Sequence, residues 1–172
     1  MSSGSKLDSE NIVDVYTYSM KAEPLRSPPA GALFALPCAC QNLRRLTRVV
    51  TRIYDQELRR AGLEITQFSL LTALAKTGEA NQKRLSAGFA MDSTTLTRTL
   101  KPLRNQGWVQ VKRGKDRRER LFSLTRAGKR QIAEAQPHWL RAEQRLRQEI
   151  GDAGWKQMKE TVSGITEAAL AA

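Results

Sequence analysis

Residues 81–125 read NQKRLSAGFAMDSTTLTRTLKPLRNQGWVQVKRGKDRRERLFSLT, and this stretch decides the fold. Asn81 stands where it can cap a short helix over 82–89, with Leu85 and Phe89 four apart on one side. Asp92 stands where it can cap a second helix over 93–105. Leu96, Leu100 and Leu103 fall at i, i+4 and i+7 on its inner face, which leaves Ser93, Thr94, Thr97, Arg98 and Lys101 on the outer one. Pro102 has no N–H for the Arg98 carbonyl, so a kink is expected in the last turn. After Gly107, the runs 108–111 and 121–124 read as short strands around KRGKDRRER, a β-hairpin with a charged tip. Two short helices joined by a tight turn, the second opening on small hydroxyl residues, make a helix-turn-helix pattern.

Upstream, Leu36, Cys40, Leu43, Val50 and Tyr54 recur at helical steps, predicting a long helix over 36–60 that Ala61-Gly62 ends. Thr66 is the expected N-cap of a helix over 67–76, and Gly78 breaks the chain after it. Downstream, Thr125 caps a helix over 126–149 that carries Ile132, Trp139, Leu146 and Ile150 on one side, with a bend expected at Pro137. A final helix presents Trp155, Met158, Val162, Ile165 and Ala169 as a narrow seam. Residues 1–35, with Pro24, Pro28, Pro29 and Gly31, suit neither helix nor strand and read as a flexible arm.

The chain of 172 residues carries 29 Lys and Arg against 17 Asp and Glu, a formal charge of +12. The excess is concentrated: residues 98–130 hold twelve basic side chains, and only Asp116 and Glu119 oppose them. Such clustering points to a polyanionic partner, with double-stranded DNA the natural one for a helix-turn-helix. No apolar run is long enough for a membrane span, and no basic-then-apolar leader is evident, so a cytoplasmic location is expected. With one histidine, no Gly-rich phosphate loop, no nucleophile elbow and no paired-carboxylate motif, neither enzymatic activity nor a cofactor is expected. Cys38, Cys40 and His138 fall short of a closed zinc site, so no metal is expected either.

The strings GLEITQFSLLTAL (62–74), MDSTTLTRTLKPLRNQGWV (91–109) and KDRRERLFSLTRAG (115–128) resemble the MarR family of winged helix-turn-helix regulators. The resemblance covers about residues 36–170, and Asp116-Arg117-Arg118 fits the family's D-x-R wing signature. It implies a mainly α fold with a small β-hairpin wing: a winged helix-turn-helix module over 61–125 on a helical dimerisation platform from 36–60 and 126–172. The apolar stripes of the long helices give a separate reason for a homodimer, because the small module between them cannot cover them. A two-fold axis then predicts a pseudo-palindromic operator. The resemblance further implies a transcriptional regulator, expected to be a repressor, released by a small aromatic or phenolic effector. An architectural or non-specific DNA-binding protein is the alternative, since it would use the same charge.

Ser93, Thr94, Thr95, Thr97 and Arg98 occupy the turn that enters a groove, and Arg98 is the candidate for bidentate reading of a guanine. Thr95 is as well suited to bonding within its own helix. Lys101 extends the same face, while Lys112, Arg113, Lys115, Arg117, Arg118 and Arg120 suit phosphates and a narrow minor groove. Asp116 is expected to orient an arginine, and family alignment favours Arg118 for the groove. Cys38 and Cys40 start the first helix about 200° apart around its axis, which disfavours a bond between them once the helix has formed. A helix N-terminus with Arg44 and Arg45 nearby favours thiolate, so either cysteine is a candidate redox sensor, against the simpler role of a small packing residue. Trp108, Trp139 and Trp155 would either line an effector cavity or pack in the core.

Overall fold

The computed structural model describes residues 38–114 and 119–171. The arm over 1–35 and the wing residues Lys115, Asp116, Arg117 and Arg118 lie outside them. The elements in order are α1 (Ala39–Leu58), a 3-10 turn (Arg59–Ala61), α2 (Ile65–Thr77), β1 (Glu79–Asn81), α3 (Gln82–Phe89), α4 (Ser93–Asn105), β2 (Val109–Arg113), β3 (Arg120–Leu124) and α5 (Arg126–Ala171). By internal contacts the chain divides inside α1, between Arg48 and Val49. In the first unit the described residues 38–48 are all exposed, Leu43 and Leu46 among them.

The second unit has one core. Leu58 from α1, Leu63, Leu70, Leu71 and Leu74 around α2, and Leu96 and Leu103 from α4 are each less than 2 % exposed. Burying each such side chain contributes about 1.5–3 kcal/mol, so these leucines supply much of the driving force that assembles the helix-turn-helix. Leu100, Ala80, Val109 and Phe122 join them, and Ala135, Ala142 and Leu146 bring in α5. The predicted inner stripe of α4 is therefore the observed one. Trp108, Trp139 and Trp155 are partly buried against this core, and Trp139 stacks on Phe68 with centroids 6.1 Å apart.

Several expectations are corrected. The N-cap of α2 is Glu64, not Thr66: Glu64 is extended, and it exchanges a capping box with Gln67, whose Oε1 accepts the Glu64 N–H at 3.1 Å. A carboxylate there also suits the positive end of the helix dipole. The Ile65 N–H is satisfied from outside by Asp55 Oδ1 at 2.8 Å. The hairpin is part of a three-stranded antiparallel sheet in the order β1-β3-β2. Three residues with one buried position, Ala80 opposite Phe122, carry too little alternation for β1 to be read from sequence. Both hairpin strands reach further toward the tip than expected, so Lys112, Arg113 and Arg120 are strand residues.

Helix α4 continues past Pro102 to Asn105, and Gly107, at φ 70°, ends it in a left-handed turn with Trp108 N donating to the Leu103 carbonyl. In α5 the non-helical backbone falls at Gly151 (φ 70°, ψ 166°) and not at Pro137. Pro137 is exposed, so water can satisfy the carbonyl its missing N–H leaves free, whereas the left-handed φ at Gly151 is one that glycine adopts without strain.

Candidate nucleic-acid interface

The exposed face of α4 is built by its cap. Asp92 accepts the N–H groups of Thr94 at 2.9 Å and Thr95 at 2.8 Å, and Thr95 Oγ1 donates to its other oxygen at 2.6 Å. These bonds, the Thr95 hydroxyl foremost, hold the Asp92 carboxyl below the ordinary carboxylate range. The Thr95 hydroxyl is therefore engaged within its own turn. Thr97 Oγ1 donates to the Ser93 carbonyl at 2.7 Å, and Gln82 Nε2 reaches from α3 to the same carbonyl at 3.3 Å. Ser93, Thr94, Thr97, Arg98 and Lys101 are all exposed, on the side of α4 away from Leu96, Leu100 and Leu103. Arg98 borders a shallow depression with Thr95, Thr99, Pro102 and the α2 residues Thr66 and Gln67.

In the wing, Val109 opposite Leu124 and Val111 opposite Phe122 turn toward the core, and Arg113 opposite Arg120 continues the same face beyond it. Like charges directly opposite on a ladder repel, so this pair weakens the hairpin unless an anion lies against it. Lys112, Arg113 and Arg120 are exposed. Lys115, Asp116, Arg117 and Arg118 lie outside the described residues. Lys83 and Arg84, exposed in the first turn of α3 where Asn81 caps it, add cations that sequence reasoning passed over. The signal for them was the cap itself, because the first turn of the leading helix in such a motif lies toward the phosphate backbone.

The ion pairs among the described residues lie on the long helices and the turn after α1. Glu57 receives Arg60 at 3.5 Å and Arg141 at 3.2 Å, and Arg147 meets Asp152 at 2.6 Å. Among the described residues, Lys83, Arg84, Arg98, Lys101, Arg104, Lys112, Arg113 and Arg120 have no carboxylate partner. Elsewhere, Tyr54 donates to Glu143 Oε1 at 2.6 Å, and burial, reinforced by that carboxylate, pushes its phenol well above the usual range. Both cysteines are exposed, Cys38 just before α1 and Cys40 in its first turn. His138 lies in α5, and no group of three metal-ligating side chains occurs among the described residues. No helix there is long and apolar enough to cross a membrane.

Residues 63–119 match the family model described as the MarR family. Over 110 residues the chain is 30 % identical to the uncharacterized HTH-type transcriptional regulator YwoH of Bacillus subtilis strain 168, covering 64 % of this chain and 80 % of that protein. The crystal structure of the M. tuberculosis transcriptional regulator MosR in complex with DNA is 33 % identical, with a TM-score of 0.69 over 78 % of this chain and 97 % of that one. A mutant MarR from E. coli complexed with operator DNA shares the fold at 18 % identity, with a TM-score of 0.67 over 73 % of this chain and 91 % of that one. With its helix-turn-helix, three-stranded sheet and long flanking helices, the chain belongs to the MarR family.

Proposed function

We propose that the protein is a cytoplasmic, homodimeric transcriptional repressor that reads a pseudo-palindromic operator with α4 and grips the flanking backbone with its wing. The carrying observation is a run of exposed cations that have no carboxylate partner among the described residues, on the first turn of α3 (Lys83, Arg84), the outer side of α4 (Arg98, Lys101, Arg104) and the wing strands (Lys112, Arg113, Arg120). Ser93, Thr94, Thr97 and Arg98 read bases, Thr95 holds the helix start, and Lys101, Lys112, Arg113, Lys115, Arg117, Arg118 and Arg120 contact phosphate or the minor groove, with Asp116 orienting an arginine. The DNA in the MosR complex supports this reading.

Dimerisation is supported by exposed apolar side chains on the long helices: Leu43, Leu46, Val49, Ile150, Val162 and Ile165 are each at least 40 % exposed. A second copy covering them sets the two α4 helices about 34–36 Å apart, one turn of DNA. Control acts on that spacing. A small aromatic effector would settle in the α2–α5 groove beside Phe68, Thr72, Lys76 and Trp139, and oxidation would act at Cys38 or Cys40. Peroxide that produces neither a crosslinked dimer nor a change in DNA affinity overturns the oxidation arm.

Competition binding tests the whole reading: DNA from upstream of the chain's own gene against a scrambled duplex, over a salt series. Specific binding tighter by about 10³-fold or more is expected. A ratio near one leaves an architectural DNA-binding protein instead. Arg98→Ala should relax preference at one base pair by about 1–3 kcal/mol, whereas Arg120→Ala should weaken all sequences alike and reduce the salt slope by about one.

A further inference from the structure

Glu119 is the only acid among the described wing residues, in a hairpin otherwise rich in cations. A carboxylate there repels DNA, yet it has no described arginine partner that would explain it as a counter-charge. Its side chain turns inward. Oε1 accepts the Asn81 Nδ2 amide at 2.6 Å across 38 residues of sequence, and its backbone carbonyl accepts the Gly114 N–H at 2.9 Å. The side chain lies so close over Gly114 that a methyl at 114 would meet Glu119 Cβ at 2.9 Å and Cδ at 3.0 Å, besides colliding with Oε2. Asn81 uses both ends of its amide, because its Oδ1 caps α3 by accepting Arg84 N at 2.8 Å. One chain of hydrogen bonds thus runs from the first turn of α3, through Asn81 and Glu119, to the rung that closes the hairpin.

We infer that Glu119 is a positioning residue: by accepting the Asn81 amide it carries the tie between the N-cap of α3 and the wing past the end of the β1–β3 ladder, and so aims Arg113 and Arg120 relative to α4. The inference rests on the DNA-binding reading. The β1–β3 ladder ends at Asn81 opposite Leu121, so beyond it the Arg113–Arg120 rung is held only by the hairpin's own ladder, where it can twist and its cations sample orientations that miss the backbone. A bond to the helix cap removes that freedom before binding, which lowers the ordering cost on contact. The charge of Glu119 itself still repels phosphate, so a variant that removes the charge and keeps the acceptor separates the two effects.

Glu119→Gln and Glu119→Ala remove the same charge, but only glutamine keeps an acceptor for Asn81, so their comparison isolates the lock from electrostatics. On a mixed-sequence duplex of about 30 base pairs, the glutamine variant should bind at least as tightly as the parent. The alanine variant should bind about tenfold more weakly, with a salt slope shallower by at least about one contact. Asn81→Asp keeps the cap but sets carboxylate against carboxylate, and should resemble the alanine variant. Adding Glu119→Gln to it rebuilds the bond with donor and acceptor exchanged, and should restore affinity and slope to within about twofold of the parent. Equal slopes and affinities for the two Glu119 variants overturn the inference, as does a reversed pair that fails to recover while melting like the parent. A parent that binds no duplex at low salt instead overturns the DNA-binding reading itself. If Asn81→Asp does not fold, the two Glu119 variants decide alone.

Discussion

Gly128→Ala tests the junction between the wing and α5, and the structure reverses the sign that helix propensity assigns. Gly128 lies in the first turns of a helix, where alanine is favoured by about 1 kcal/mol. It is buried, however, and a methyl there would overlap the Trp108 carbonyl oxygen, with Trp108 C at 3.0 Å and Leu124 Cδ2 at 3.1 Å. That carbonyl already accepts Thr125 N at 3.0 Å and Thr125 Oγ1 at 3.3 Å, and Gly128 N itself donates to Thr125 Oγ1 at 3.0 Å. Leu124 can turn aside, but the Trp108 backbone, held by the Thr125 cap, cannot. Overpacking of about 1–3 kcal/mol and about 1 kcal/mol for a strained hydrogen bond outweigh the propensity gain. The net loss should be about 1–3 kcal/mol, a fall of several degrees in melting temperature at fixed protein concentration. Gly88→Ala is the internal control, since nothing lies within 4 Å of a methyl on that helical glycine. It should gain up to about 1 kcal/mol. Thermal melts of both variants decide the matter, and a Gly128→Ala protein as stable as the parent refutes the steric reasoning.

Asp55→Ala should cost about 1–2 kcal/mol in urea denaturation, because the part-buried Ile65 N–H loses its acceptor, whereas Asp55→Asn should keep at least half of that stability. The Asp92 carboxyl is lowered by its bonds to Thr95 and Thr94, so the cap is intact above the unfolded pKa of about 3.9 and is lost as pH falls through the lower folded value. Amide NMR signals of Thr94 and Thr95 should titrate with a midpoint below about 3.9, and a midpoint at or above it contradicts the cap. Tyr54 is raised by burial and by Glu143, so its contribution is complete below the ordinary phenol value of about 10 and disappears as pH rises through the higher folded one. Ultraviolet titration should show one tyrosine ionising after the others, and Tyr54→Phe should remove that late step.

Much of the binding module is legible in the sequence because its signals are local. Asp92, Asn81 and Thr125 each cap the element that follows within three residues, and Leu96, Leu100 and Leu103 mark their face by spacing alone. Glu64 is hidden at the start of α2 because Thr66, a better cap by residue type, lies two positions on. What decides between them is Asp55, which reaches the Ile65 N–H from another helix. The break near 150 expected from the sequence falls at Gly151, while the backbone at Pro137 keeps helical dihedrals, since an exposed proline disturbs only one carbonyl.

What the sequence by itself determined is the order of the helices, their inner faces, the cationic character of α4 and the wing, and the family. These follow from caps, periodicity and charge, each written within a few neighbouring residues. What only the tertiary structure decided is the third strand, the reach of the hairpin, the pairing of Arg141 with Glu57, and the inward turn of Glu119 onto Asn81. Those depend on residues up to 84 positions apart, as between Glu57 and Arg141, meeting only after the leucine core has closed. A side chain's partner across that distance is set by packing, and no local pattern encodes it.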